Sequence, residues 1–178
     1  MPKRIEVRIS GLGGQGVVLA GEILGRAAAY DGKHVVQTQS YGAEARGSAA
    51  KSEVIISDSK IGFPKVRKCD ILVAMSQSAV EIHSKDLKER GILIVDEKMV
   101  KHLPETKARV FKIPATKTVE KLLKSKLYAN VVMLGALTKI TSIVNEEAVE
   151  KAIIDIVPKI AREANISGFR EGLKLVTM

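Results

Sequence analysis

The sequence predicts an α/β chain: one three-layer α/β/α, Rossmann-like domain over residues 1–178, with a largely parallel sheet and a helical C-terminal third. Three observations predict it. Short apolar runs of strand type recur along the first two thirds. A glycine-rich turn stands between the first of them and the first helical segment. The last third carries apolar residues at helical spacing.

Ile5–Ser10 alternates apolar and charged residues, with Ile5, Val7 and Ile9 against Glu6 and Arg8, as a half-buried strand does. Gly11–Gly16 is the turn, and Val17–Tyr30 reads as a helix with Gly32 beyond its end. Gly21 and Gly25 lie on one face of that helix, which would admit close approach of another backbone. His34–Ser40 and Lys51–Ser57 read as the next two strands. Ile71–Met75 and Ile92–Val95 are short apolar runs flanking an expected helix from Ser78 to Arg90. Ala108–Ile113 is a last strand, closed by Pro114.

Asn130–Thr141 carries Val131, Leu134 and Leu137 at helical spacing. Asn145 is placed to cap a further helix, with Glu146 and Glu147 favoured by its positive end. Val149, Ala152, Ile153, Ile156, Val157 and Ile160 form its apolar stripe. Pro158 within the stripe predicts a kink or a break into two helices.

The chain has 178 residues, 46% of them apolar but only 3% aromatic, so its core must be built from aliphatic side chains. No apolar run approaches the roughly 18 residues that span a bilayer, and Met1–Arg4 leads into a strand with no secretory segment. The single cysteine, Cys69, excludes an intrachain disulfide. No membrane association and a cytoplasmic location are therefore expected. The net charge is +9, and from Lys98 to Lys126 nine Lys or Arg face only Glu105 and Glu120. That suits an anionic partner or a solvated face; nucleic acid is not expected, because no aromatic or helical reading motif accompanies the charge. His34, His83 and His102 lack metal-ligand spacing and read as surface or strand-end residues, so no metal site is expected. Lys68 and Arg67 beside Cys69 could lower its pKa, although a cysteine entering a strand is more often a small hydrophobe.

Gly11-Leu12-Gly13-Gly14-Gln15-Gly16 has the spacing of a dinucleotide turn. Glycines there let the backbone approach a phosphate, which free N–H groups at the helix start can meet. A nicotinamide site also needs a carboxylate about 20 residues on, to hold the ribose. The corresponding residues, Val35-Val36-Gln37-Thr38-Gln39-Ser40, contain none. A nucleotide-binding oxidoreductase working alone remains an alternative, but another phosphate-bearing ligand fits better. Ser40–Ser48, SYGAEARGS, is a polar, glycine-broken loop after a strand, and loops at that end of α/β sheets carry ligand sites.

GLGGQGVV at Gly11–Val18 followed by SYGAEARGS at Ser40–Ser48 resembles the gamma subunit of 2-oxoacid:ferredoxin oxidoreductases. EVIIS at Glu53–Ser57, DILVA at Asp70–Ala74, IPAT at Ile113–Thr116 and NVVMLGAL at Asn130–Leu137 extend the resemblance, in order, over nearly the whole chain. Two positions depart from it: the family often has proline where Ala43 stands and a second glycine at Ser48. The resemblance implies a subunit of an enzyme that oxidatively decarboxylates a 2-oxoacid with coenzyme A to acyl-CoA, carbon dioxide and reduced ferredoxin. It favours 2-oxoglutarate as substrate. Thiamine diphosphate and the iron–sulfur clusters would sit on partner chains: an alpha and a beta subunit, with a ferredoxin-like delta subunit or ferredoxin. This chain has one cysteine where a cluster takes about four, and no Gly-Asp-Gly segment. The resemblance further implies that Gly11, Gly13, Gly14, Gln15 and Gly16, with Tyr41, Glu44, Arg46, Gly47 and Asn130, line the coenzyme A pocket or the subunit seam. No catalytic residue is expected on this chain. Alone it would be inactive, with exposed seams favouring homo-oligomers.

Overall fold

A computed structural model describes residues 3–42 and 47–176. Six strands form one sheet in the order β2-β3-β1-β4-β5-β6. They are β1 (Arg4–Leu12), β2 (His34–Tyr41), β3 (Ala49–Ser57), β4 (Cys69–Ala74), β5 (Leu87–Asp96) and β6 (Arg109–Ile113). Five run the same way, and β3 alone is reversed, antiparallel to both β1 and β2. The short connection from β2 to β3 dictates that reversal, since a parallel pair needs a crossover of a dozen or more residues.

The helices are α1 (Val17–Tyr30), α2 (Gln77–His83), α3 (Ala115–Leu123), α4 (Ala129–Thr141), α5 (Glu146–Ile156) and α6 (Arg162–Lys174). Strand alternation divides the core in two. Val7, Ile9, Val54, Ile56, Ile71, Val73 and Ile94 pack with α1 and with α3–α6. Ile55, Leu72, Ala74, Leu93 and Val95 face the other way, onto α2 and the irregular segments around Val66 and Val100. The α/β/α expectation therefore holds with unequal outer layers, one thick and one thin. In the thick layer α4 and α6 touch backbone to backbone. A Cβ on Gly135 would lie 2.2 Å from the Phe169 carbonyl oxygen, and one on Gly172 2.1 Å from that of Val132.

Several expectations are corrected. The helix expected over Ser78–Arg90 stops at His83; a 3-10 turn covers Ser84–Asp86, and Leu87–Arg90 belong to β5. A bulge between Cys69 and Ile71 lets β5 start early, pairing Leu87 with Cys69. Pro158 does divide the C-terminal helices, with a 3-10 turn at Lys159–Ala161 between α5 and α6. Ile160 falls in that turn and is 97% exposed, so it leaves the stripe it was assigned to. Asn145 stands at the α5 N-cap without a side-chain capping bond. Its backbone N–H and its amide instead donate to Asp31 at 2.8 and 2.7 Å, tying α5 to the end of α1. At Gly21 the close neighbour is a side chain, Ser52, whose Oγ would lie 2.0 Å from an added Cβ.

The alternation in β1 placed Arg8 among the polar positions, but the thin layer buries it. Its guanidinium meets Glu53 directly across β1 and β3 at 2.7 Å and Asp86 at 2.8 Å, and donates to the Val66 carbonyl at 3.3 Å. Burial opposes its charge, yet the Asp86 hydrogen bond and the nearby Glu53 leave its pKa raised. Against this cluster stand Cys69, which packs as the small hydrophobe its strand position suggests, and His83, whose expected surface or strand-end placement is corrected. Cys69 is fully buried, and burial pushes its thiol up to about 11, so it is a packed hydrophobe and not a reactive thiol. His83 is buried, not a surface histidine; burial first, then the Arg8 and Lys51 charges, hold its pKa down at about 4.

A histidine with a depressed folded-state pKa stays neutral in the fold while the unfolded chain takes up a proton. His83 therefore lowers stability as pH falls from its ordinary 6.5 towards 4. Urea unfolding at pH 7 and pH 4.5 should show a smaller loss of stability for His83→Gln than for the parent chain. An equal loss in both would show that His83 does not carry this dependence.

Candidate functional site

The parallel strands place a crevice where their helices part. α1, which follows β1, covers one face of the sheet, and α2, which follows β4, covers the other. β1 and β4 are neighbours, so their carboxyl ends border the gap between the two crossovers. Open α/β sheets bind ligands there. The glycine turn fills one side of this gap and Met75-Ser76 the other.

Gln15 spans it. Its Oε1 accepts from the Leu12 N–H at 2.7 Å and its Nε2 donates to the Met75 carbonyl at 2.8 Å. The Met75 N–H donates in turn to the Ser10 carbonyl at 2.8 Å. Gly11 is glycine because Gln15 folds over it: an added Cβ would lie 2.4 Å from Oε1. Both ends of the Gln15 amide are thus engaged in bracing the turn.

Gly14 and Gly16 have φ of 93° and 72°, the left-handed region that other residues resist. Around Gly14 nothing lies within 4 Å of an added Cβ, so the turn is open on that side. Gly16 begins α1 without a side-chain cap. Among the described residues no acceptor meets the N–H groups of Gly14, Gly16, Val17, Val18 or Leu19. Unmet donors at the positive end of a 14-residue helix suit an anion.

The second loop reaches the same place. Tyr41 pairs with Ala50 and Leu12 with Ala49, so β1 and β2 end at the same level, on either side of the start of β3. The Gly13 N–H donates to the Ser48 carbonyl at 2.8 Å, joining the two loops. Tyr41 is 61% exposed, and Gly47 takes a φ of 77°. Glu44 and Arg46 lie outside the described residues. Asn130, in the first turn of α4, arrives from the thick layer and is buried. Its Nδ2 donates to the Gly16 carbonyl at 3.1 Å, while its Oδ1 has no partner among the described residues. Two sequence segments and a residue over eighty positions further on thus converge on one turn.

The sequence reading missed Met75, the far anchor of the Gln15 brace. It also missed Asp96, a buried carboxylate at the end of β5. Asp96 accepts from the N–H groups of Lys98 and Thr116, both at 3.0 Å, and from the Thr116 hydroxyl, fixing the start of α3. An Asp that ends an apolar strand and precedes a turn was the available signal. Among the described residues no group of His, Cys, Asp or Glu is arranged to hold a metal ion, and no helix is long and apolar enough to cross a membrane.

Residues 6–175 match the family model described as pyruvate ferredoxin/flavodoxin oxidoreductase. The chain belongs to this family. A relative named 2-oxoglutarate synthase subunit KorC, from Methanocaldococcus jannaschii, is 54% identical over 97% of this chain and 94% of its own length. The gamma subunit of a keto/oxoacid ferredoxin oxidoreductase from Geobacter sulfurreducens has a structure similar at a TM-score of 0.85. It is 44% identical, with 96% of each chain covered. The fold also matches, at a TM-score of 0.87 and 24% identity, 31% of a 2-oxoglutarate:ferredoxin oxidoreductase chain from Magnetococcus marinus, while covering 97% of the present one. That structure is described with 2-oxoglutarate, coenzyme A and succinyl-CoA bound.

The two glycines separate conformational from steric demand. Gly14→Ala meets only the left-handed backbone and should cost about 1–2 kcal/mol. Gly16→Ala adds a Cβ 2.5 Å from Asn130 Nδ2, and overpacking of that kind adds about 1–3 kcal/mol. Equal destabilisation of the two variants in denaturant titrations would contradict this arrangement.

Proposed function

We propose that this chain is the gamma subunit of a 2-oxoglutarate:ferredoxin oxidoreductase and that its glycine turn holds part of coenzyme A. The observation that carries the reading is the convergence of Ser48 and Asn130 on the glycine turn at the carboxyl end of β1, in a chain 54% identical to a 2-oxoglutarate synthase subunit. Coenzyme A supplies the thiol that takes the acyl group, and its phosphates carry the charge that a helix start can meet. The N–H groups of Gly14, Gly16 and Val17 would face those phosphates. Gln15 would act indirectly, holding the turn open, since both ends of its amide are engaged. Tyr41 and Gly47, at the rim, would meet the ligand or a neighbouring subunit, and Glu44 and Arg46 belong to the same loop.

Among the described residues of the site nothing forms a nucleophile, a general base or a cluster site; the one cysteine is buried and its thiol is held neutral. Thiamine diphosphate and the iron–sulfur clusters would therefore reside on alpha and beta subunits and a ferredoxin-like delta subunit, in the cytoplasm. The overall reaction would yield succinyl-CoA, carbon dioxide and reduced ferredoxin, and the isolated chain would show no turnover.

Gly14→Val is the informative variant, because its Cβ would enter the open space before the turn without meeting another residue, at the cost of strain in the left-handed backbone there. In the assembled complex it should weaken coenzyme A binding by about tenfold or more, a loss of at least about 1.4 kcal/mol. Affinity at the parent level in an intact complex would remove the glycine turn from the coenzyme site.

A further inference from the structure

At the opposite end of the sheet lies a wedge that the proposed coenzyme site does not use. Between the amino ends of the parallel strands and the last turn of α4 is a hollow of about 410 Å³, within the roughly 300–1,000 Å³ of small-molecule sites. Ile5, Ile71 and Ile92 line it from the sheet, and Ile140 and Ile143 from α4 and the segment after it. Of these five only Ile71 is fully buried; the others present part of their surface to the opening. An apolar wall left open in a concave site is suited to an apolar occupant.

The mouth has the opposite character. Lys3, Arg4, Lys88, Arg90 and Arg109 surround it, against a single carboxylate, Asp70. Asp70 neutralises Lys88 at 2.7 Å, and Glu6 neutralises Arg4 at 2.7 Å. Arg90 and Arg109 have no ion pair among the described residues, and Arg109 only lies over the Phe111 ring, 5.8 Å from its centroid. The carboxyl end of α4 attracts cations, but its dipole amounts to about half a charge, too little to account for two unpaired guanidiniums. Neighbouring cations repel, and an oxyanion placed between them relieves the repulsion while accepting their N–H groups. β1 runs its nine residues from Arg4 at this mouth to Leu12 at the glycine turn, so the two places are about 26 Å apart.

We propose that this wedge binds a small amphiphilic anion, with a short aliphatic chain between the isoleucine walls and a carboxylate or phosphate head at Arg90 and Arg109. The five isoleucines also pack with the main core, so it is the two unpaired guanidiniums at the mouth of their open wall that point to a ligand.

Calorimetric titration of the full chain with hexanoate and hexyl phosphate tests this, with acetate and hexanol as head-only and tail-only probes. At least one of the two amphiphiles should saturate a single site, their relative affinities telling which head is preferred. Acetate and hexanol should bind about tenfold more weakly or worse. Arg90→Glu combined with Arg109→Glu alters two exposed residues, so folding, checked by circular dichroism, is retained and binding should fall by about tenfold or more. Ile143→Asn should weaken the amphiphile and leave acetate unaffected. Absence of saturable binding by both amphiphiles at millimolar concentration, acetate matching hexanoate, or undiminished binding in the charge variant would each overturn the proposal.

Discussion

The Gln15 side chain sets the geometry on which the candidate site depends. One amide ties the end of β1 to the end of β4, its oxygen accepting from the Leu12 N–H and its nitrogen donating to the Met75 carbonyl. The crevice between these strands exists because their crossovers leave on opposite faces, but a crevice has no fixed width until something spans it. Gln15 does so inside the turn itself, folded over the hydrogen of Gly11. The turn is then free to present N–H groups outward at Gly14 and Gly16 without losing its shape. A glycine turn lacking such a brace would lose on ordering what it gained in reach.

Much of this was legible in the residues. Val17–Tyr30 is the helix the sequence predicts, because a glycine turn starts it and a glycine follows its end. β-branched runs mark the strands, and the two loops stand out by their glycines and polar residues, but nothing local joins one loop to the other. Their contact, between Gly13 and Ser48, depends on β3 being reversed and inserted beside β1, and a local pattern contains no information on strand order. Gln15 read as a ligand-facing amide for the same reason: its partner at Met75 is sixty residues away. The break at His83 was missed because Leu87–Arg90 is polar for three of four residues and resembles the end of a helix. Its pairing with β4 across a bulge, not its own sequence, makes it a strand.

Arg8 shows where alternation misleads. A charged residue on a half-buried strand normally faces water. Here the thin layer closes over it, and the residues that make this tolerable, Glu53 and Asp86, come from β3 and from the turn before β5. A buried cation with two carboxylates is weak evidence for net stability but strong evidence for register. β1 and β3 cannot slip by one residue without pulling Arg8 from Glu53 and turning it toward the aliphatic side of the sheet.

The glycine contact between α4 and α6 has a mechanical consequence. Helices that touch backbone to backbone at Gly135 and Gly172 have no side chains at that point to deform, so α4 is clamped at its middle. It is 13 residues long, a rod of about 20 Å. Asn130 near one end holds the Gly16 carbonyl, and Ile140 and Thr141 at the other border the isoleucine wedge. Clamped at its centre, such a rod pivots more easily than it bends, so a tilt that lifts one end from the sheet presses the other toward it.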